Sequence, residues 1–238
     1  MSLPDPRLPD CFKGRAVPRE TTPFLEACRL SRCQKTEPGD LFYSRRHGMA
    51  SCALVLEADC TVAEAAQSVL YGQLAAAETL RALHAPSNLS LIWPFGTCLN
   101  GREVARTALG GITGQEEPDE TADWLVLGVH IRISGKFIER LSAEQRMELT
   151  ALQTEGMETD RTVLLERLAK ELDRLGSEWL DGGFAAIRDA WAKYARTGER
   201  PVTRLDMDGN AIIEAGEGCQ IVRLTEMIAR QQPLHLAA

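Results

Sequence analysis

The sequence predicts an α/β (α+β) protein: a mixed, mainly antiparallel sheet backed by helices, with a small β domain at the C-terminal end. Three observations carry that expectation. Residues 89–133 hold successive strand-length apolar runs, two of them joined by Asn100-Gly101. That dipeptide is a strong hairpin signal, because both positions tolerate φ > 0. Residues 61–83 and 164–191 repeat apolar side chains at helical spacing. Beyond Pro201 the pattern returns to short runs separated by Asp208-Gly209 and Gly216/Gly218.

Each element follows from local chemistry. Residues 1–22 carry several prolines and charges and read as an extended N-terminal arm. A helix over 23–34 presents Phe24, Ala27, Cys28 and Leu30 as a partial apolar stripe. Pro38-Gly39 turns the chain into a strand over 40–44, and 52–57 forms a second short run. Thr61 and Glu64 make a capping box, opening a packing helix that runs to Leu83 with no sign of a ligand site. Residues 89–93 lead into a Trp93-Pro94 corner, and 102–109 return from the Asn-Gly turn. A polar loop over 110–118 precedes a strand over 124–133. The apolar half of that strand suits a central position, and its alternating His130 and Arg132 suit a face that meets a polar cleft.

From Ser142 to Ala195 the period is helical, with Leu164, Leu165, Leu168, Leu172 and Leu175 on one stripe and a break at Gly182-Gly183. Trp179, Phe184 and Trp191 read as core. Residues 202–207, 210–214 and 219–224 are three short strands. The division is an arm over 1–22, a main domain over 23–198 and a small β domain over 199–238.

Composition narrows the function. With 238 residues, 44% hydrophobic and 26% charged, the chain is an ordinary globular one with room for a large domain and a small one. No apolar run of about eighteen residues predicts a membrane span. A net charge of −7 argues against a general nucleic-acid binder, which needs surplus Lys and Arg. The Pro-rich start lacks the apolar stretch of a secretion signal. Seven scattered cysteines include no close Cys-x-x-Cys pair, so reduced thiols in the cytoplasm are expected and no metal site.

Residues 91–105 read Leu-Ile-Trp-Pro-Phe-Gly-Thr-Cys-Leu-Asn-Gly-Arg-Glu-Val-Ala. This corner, hairpin and returning strand resemble the catalytic core of the biotin and lipoate protein ligases. The order of elements over about 40–224 is similar to the bacterial biotin protein ligases, and 165–191 is like their helix pair. Trp93, Pro94, Asn100, Gly101, Val104 and Ala105 match the family pattern, Arg102 matches its basic residue after the hairpin, and Gly128 matches the first Gly of its Gly-x-Gly-x-Asn strand. The resemblance implies a class II synthetase-like fold with a small SH3-like C-terminal domain. It also implies an activity: ATP activates biotin or lipoate as an acyl-adenylate, and the acyl group passes to a lysine of a biotinyl or lipoyl carrier domain. No covalently bound cofactor is implied; ATP and a biotin- or lipoate-like acid are the expected ligands.

The departures fall on the reacting parts. The family corner reads Lys-Trp-Pro-Asn-Asp, whereas here Ile92 stands at the Lys, and Phe95 and Gly96 follow Trp-Pro. Arg106 stands at a family Gly, His130 at the second strand Gly and Arg132 at the Asn. The Gly-Arg-Gly-Arg loop that closes over the phosphate has no counterpart.

Seven residues are candidates for ligand binding, and no catalytic residue is assigned. Arg45 and Arg46, beside His47 and Gly48, form either an anion site or a solvated turn. Arg106 and Arg132 either replace the missing Lys in holding a carboxylate or phosphate, or face outward paired with Glu103 or Asp123. His130 is either a hydrogen-bonding group in the cleft or a satisfied structural histidine. Trp93 either stacks on a ligand ring or plugs the sheet, and Gly128 borders the same slot. Cys98 lacks an identifiable activating partner. Two functions fit. One is a ligase-like protein that binds a small carboxylate or its adenylate and passes it to a carrier lysine. The other is an inactive homologue acting as a ligand-binding sensor or adaptor. Exposed sheet edges leave room for a homodimer.

Overall fold

The structure is a computed structural model that describes residues 4–84, 88–195, 202–215 and 218–231. The first half supplies strands Lys13–Val17 (β1), Asp40–Ser44 (β2) and Met49–Leu56 (β3), with helix Pro23–Arg32 (α1) between the first two. Helices Val62–Ala66 (α2) and Ser68–His84 (α3) follow. Then come strands Leu89–Ile92 (β4), Gly96–Leu99 (β5), Arg102–Gly110 (β6) and Leu125–Arg132 (β7). The seven strands form one sheet in the order β1-β2-β3-β7-β6-β5-β4. Only β1 against β2 runs parallel; the other neighbours are antiparallel. The mixed, mainly antiparallel sheet is the one the sequence predicts.

The two faces of the sheet are read directly from the two-residue period. On β7, Leu125, Leu127, Val129 and Ile131 point into the main core, with Leu70, Leu74 and Leu80 of α3. The long helix Arg161–Gly182 (α5) and helix Phe184–Ala192 (α6) complete this layer, contributing Leu164, Leu168, Leu172 and Trp191. The even-numbered residues of β7 look the other way. There α1 covers only half the sheet, through Phe24, Ala27 and Cys28 packed on Ala53, Ala108 and Val126.

Several elements differ from expectation for identifiable reasons. The expected single helix over 61–83 has its capping box, Thr61 with Glu64, but is interrupted at Gln67. The Gln67 N–H bonds to the Glu64 carbonyl and the Leu70 N–H to that of Gln67, both i−3 bonds that tighten the turn. Within the expected arm, residues 13–17 pair with β2. Ahead of them, Arg7 N–H donates to Glu166 (2.8 Å) and the Cys11 thiol to Asp173 (3.2 Å), laying the segment along α5. The Asn100-Gly101 turn has φ of 50° and 83°, as a two-residue hairpin requires. The segment 142–160 is a short helix, Ala143–Glu148 (α4), and irregular turns rather than continuous helix.

At the C-terminal end, strands Val202–Leu205 (β8), Ala211–Ala215 (β9) and Gly218–Val222 (β10) make an antiparallel sheet. The small β domain is therefore present, its tight turn held by Asp206, whose Oδ1 accepts from the Asp208 and Asn210 N–H groups. The expected third strand gives way at Leu224 to a helix, Leu224–Ala229 (α7). Leu224 and Ile228, one turn apart, are buried in the main core together with Leu205. Two anchors in six residues are too few for periodicity to register in the sequence. Among the described residues no helix is long and apolar enough to cross a membrane.

Candidate functional site

The half of the sheet that α1 leaves uncovered is a hollow of about 660 Å³. Its floor is the outer end of the even-numbered face of β7, where His130 and Arg132 stand beside Arg106 of β6 and Gly96 of β5. Ile92, Trp93, Pro94 and Phe95 form one wall, Phe137, Leu141 and Leu149 another, and Met227 of α7 with Arg230 just past its end close the C-terminal side. Gln231 also borders it, and its side-chain amide hydrogen-bonds both backbone groups of Leu109, accepting from the N–H at 3.3 Å and donating to the carbonyl. Beyond Arg106, β6 has no β5 partner, so this amide takes the place of a strand neighbour.

The corner that walls the hollow is held from three sides. Its Trp93–Pro94 peptide is cis. Gln73 of α3 is fully buried, donates to the carbonyls of Ile92 (2.8 Å) and Gly96 (2.5 Å), and accepts from the Trp191 indole (2.7 Å). These bonds tie α3 to both ends of the corner, where Ile92 and Gly96 close the β4–β5 ladder. Thr107 donates its backbone N–H to the Phe95 carbonyl at 3.0 Å. Trp93 itself is half-buried, and its Nε1 donates to the Gly209 carbonyl at 3.0 Å, tying the corner to the C-terminal β unit.

The charges are arranged around Glu103. The register of β5 against β6 shifts between Thr97 and Cys98, which pair with Ala105 and Glu103 and leave Val104 as an extra residue. Such a bulge re-aims side chains, and here it puts Glu103 on the same face as Arg106. Arg132 donates through one nitrogen to the Glu103 backbone carbonyl (2.9 Å) and through the other to its Oε1 (2.9 Å). Arg106 donates to Oε2 at 3.0 Å while its guanidinium lies 5.8 Å from the Phe95 ring centroid. Arg230 also borders the hollow, paired with Glu226 at 3.5 Å, so two guanidinium groups share the Glu103 carboxylate. Nearby, Glu155 accepts from Asn100, Arg102 and Thr150, fixing the hairpin to the following turn.

His130 is 4% exposed, and its Nδ1 is buried without a hydrogen-bond partner. Burial, with Arg132 and Arg46 nearby, pushes its pKa down to about 3. It is therefore a neutral imidazole near pH 7.

Four of the seven candidates thus meet in the hollow: Trp93, Arg106, His130 and Arg132. Arg106 and Arg132 face the hollow rather than outward, and both pair there with Glu103. Gly128 is corrected. It lies on the same face as His130, one pleat inward, but a Cβ there would fall 2.6 Å from Cδ2 of Phe24. The α1 helix fills the space above it, so Gly128 makes room for a helix rather than for a ligand. Arg45 and Arg46 are corrected as well, because neither lines the hollow. Arg45 forms a two-bond pair with Asp5 (2.9 and 2.7 Å), and Arg46 donates to the Arg19 carbonyl, so both tie the N-terminal segment down. Cys98 is buried. Trp191 and Phe184 are buried and Trp179 packs partly buried against the same core.

Sequence reasoning named Glu103 only as an outward partner of the arginines, and missed Gln73, Met227 and Arg230. Glu103 was legible as a partner for the arginines, but its inward aim depends on a bulge that a regular alternation hides. Gln73 stood out only as one polar residue in a helix otherwise rich in Leu and Ala.

The fold has solved counterparts. A biotin protein ligase-like protein of unknown function from Silicibacter sp. TM1040 superposes with a TM-score of 0.80 at 22% identity, over 93% of this chain and 98% of that one. The apo biotin protein ligase of Aquifex aeolicus gives 0.69 at 17% identity, over 89% and 96%. The same enzyme in complex with biotin and ATP gives 0.64 at 15%, over 89% and 94%. No curated protein matches the sequence. The family model of the biotin/lipoate A/B protein ligase family matches residues 8–193. The chain, with its Trp-Pro corner, Asn-Gly hairpin and half-covered antiparallel sheet, belongs to the biotin/lipoate A/B protein ligase family.

Proposed function

We propose that the hollow binds a small carboxylic acid with an apolar body, of the biotin or lipoate kind, or the adenylate of such an acid. The observation that carries this reading is the pairing of surplus guanidinium with an apolar wall. Arg106 and Arg132 outnumber Glu103, Arg230 stands nearby paired with Glu226, and Ile92, Trp93, Pro94 and Phe95 stand opposite. Guanidinium forks recognise carboxylate and phosphate groups, and a mostly apolar slot with a few placed polar groups is the usual form of a small-molecule site. The Aquifex aeolicus relative, solved with biotin and ATP, supports the same ligand class.

Binding without adenylation is the form that the local chemistry favours. Ile92, 43% exposed, occupies the position of the family lysine, and no lysine lines the hollow among the described residues. Only residues 45–48 connect β2 to β3, too few for a loop that folds over a phosphate. Acyl transfer to a lysine of a biotinyl or lipoyl carrier domain is the second reading, favoured by Arg106 and Arg132 as cations on the floor where charge would build up. Under both readings we place the protein in the cytoplasm, where its seven cysteines stay reduced. A homodimer through a sheet edge fits either.

ATP–pyrophosphate exchange with biotin, lipoate and octanoate, run beside thermal melting with the same acids, tests the proposal. Stabilisation without exchange supports the binder. Exchange with any acid supports the transferase. Neither effect with any acid overturns the ligand class.

A further inference from the structure

We infer that Glu103 is an internal competitor for the ligand's acid group: its carboxylate occupies the guanidinium pair of Arg106 and Arg132 and must swing away before an external carboxylate can take its place. The inference rests on the ligand class proposed above and adds how that site selects and admits its ligand.

Three features make the carboxylate a replaceable occupant rather than the support of the two arginines. Arg132 has a second anchor, because one of its nitrogens donates to the Glu103 backbone carbonyl at 2.9 Å and is indifferent to where that side chain points. Arg106 has an anchor of its own in the Phe95 ring, 5.8 Å from its guanidinium carbon. Both cations therefore keep their places when the carboxylate departs. The third feature is the seat. The Glu103 carboxylate lies against Gly96, where a Cβ would come within 3.1 Å of Oε2. The side chain is held by two charged contacts and one bare glycine, and among the described residues no backbone N–H donates to it. Its side chain, 14% exposed, borders the hollow, so an outward swing leads into open space.

The exchange balances without proton transfer. The two bonds from Arg132 and Arg106 to Glu103 break, two equivalent bonds to the ligand carboxylate form, and Glu103 gains water. The two anions compete for the same guanidinium N–H groups that face the hollow, so affinity is reduced by the fraction of molecules in which Glu103 holds them. A neutral analogue does not compete for the guanidinium groups and escapes this cost. Glu103 therefore weakens acids selectively, favouring those whose apolar body also contacts the Trp93 wall.

The test compares octanoate and octanamide on the intact chain carrying Glu103→Gln, by calorimetric titration. The amide of Gln is nearly isosteric but no longer attracts the arginines as an anion does. Octanoate is expected to bind about tenfold tighter than to the parent chain, with octanamide unchanged. Octanoate binding to the parent but equally or more weakly to the variant overturns the competitor role while leaving the ligand class intact. No octanoate binding to either overturns the ligand class and this inference together. Glu103→Asp is the second variant, because the shorter carboxylate cannot span both arginines; it is expected to shift octanoate in the same direction, and weaker binding there also overturns the inference. Melting curves of both variants confirm that each is folded at the titration temperature.

Discussion

The Trp93 indole donates to the Gly209 carbonyl, so the wall of the hollow and the turn of the C-terminal β unit share one hydrogen bond across 116 residues of chain. Trp93→Phe removes the donor and keeps an aromatic ring. A loss of about 1 kcal/mol is expected, read by chemical denaturation. An unchanged midpoint would mean that water replaces the indole at no cost.

Gln73 is the support of the corner. Gln73→Leu leaves two carbonyls and the Trp191 N–H without their partner inside the core. A loss of about 3 kcal/mol is expected, again by denaturation. Trp191 emission should also change, since its indole loses a polar neighbour.

Gly128→Ala places a methyl group against Phe24 and should cost about 2 kcal/mol through overpacking. Adding Phe24→Leu is expected to recover much of it. Failure of the double variant to recover would show that the strain lies in the backbone and not in the roof helix.

Acid stability reports on His130. Its folded pKa, about 3, lies below the value of about 6.5 in an unfolded chain. Between those two pH values the unfolded state binds the extra proton, so the neutral imidazole's contribution is fully present above pH ~6.5 and is lost as pH falls toward 3. His130→Gln should flatten the stability profile across that window. A parallel profile in the variant would locate the acid sensitivity elsewhere.

Arg132→Ala should weaken octanoate by roughly ten- to a hundredfold, the range of a charged hydrogen bond. Titration with unchanged affinity would put the acid group elsewhere in the hollow. Ile92→Lys, by contrast, is not expected to yield pyrophosphate exchange with biotin, because the connection between β2 and β3 still lacks a phosphate loop. Robust exchange from that single change would show the loop to be dispensable.

Much of the architecture was legible in the sequence because its signals are local. The Thr61–Glu64 box, the Asn100-Gly101 turn and the Leu stripe of α5 each depend on neighbours a few residues away, and all three are found. What escaped depends on distance. That β1 would pair with β2 rather than trail as a free arm follows from sheet topology, which no short pattern encodes. The site divides along the same line. His130 and Arg132 were placed correctly by alternation on β7, and Gly128 by the same alternation, yet only the fold reveals that Phe24 claims the space above it. Arg45 and Arg46 look like an anion site until Asp5 and Arg19, far away in sequence, take up their hydrogen bonds.

The carboxamide of Gln231 has a consequence for solubility. One margin of β6 is sealed at Leu109 by a side chain and not by another strand, and an unsealed margin of that kind is a template for adhesion between copies. The side-chain amide of Gln231 thus does for Leu109 what a further strand would do.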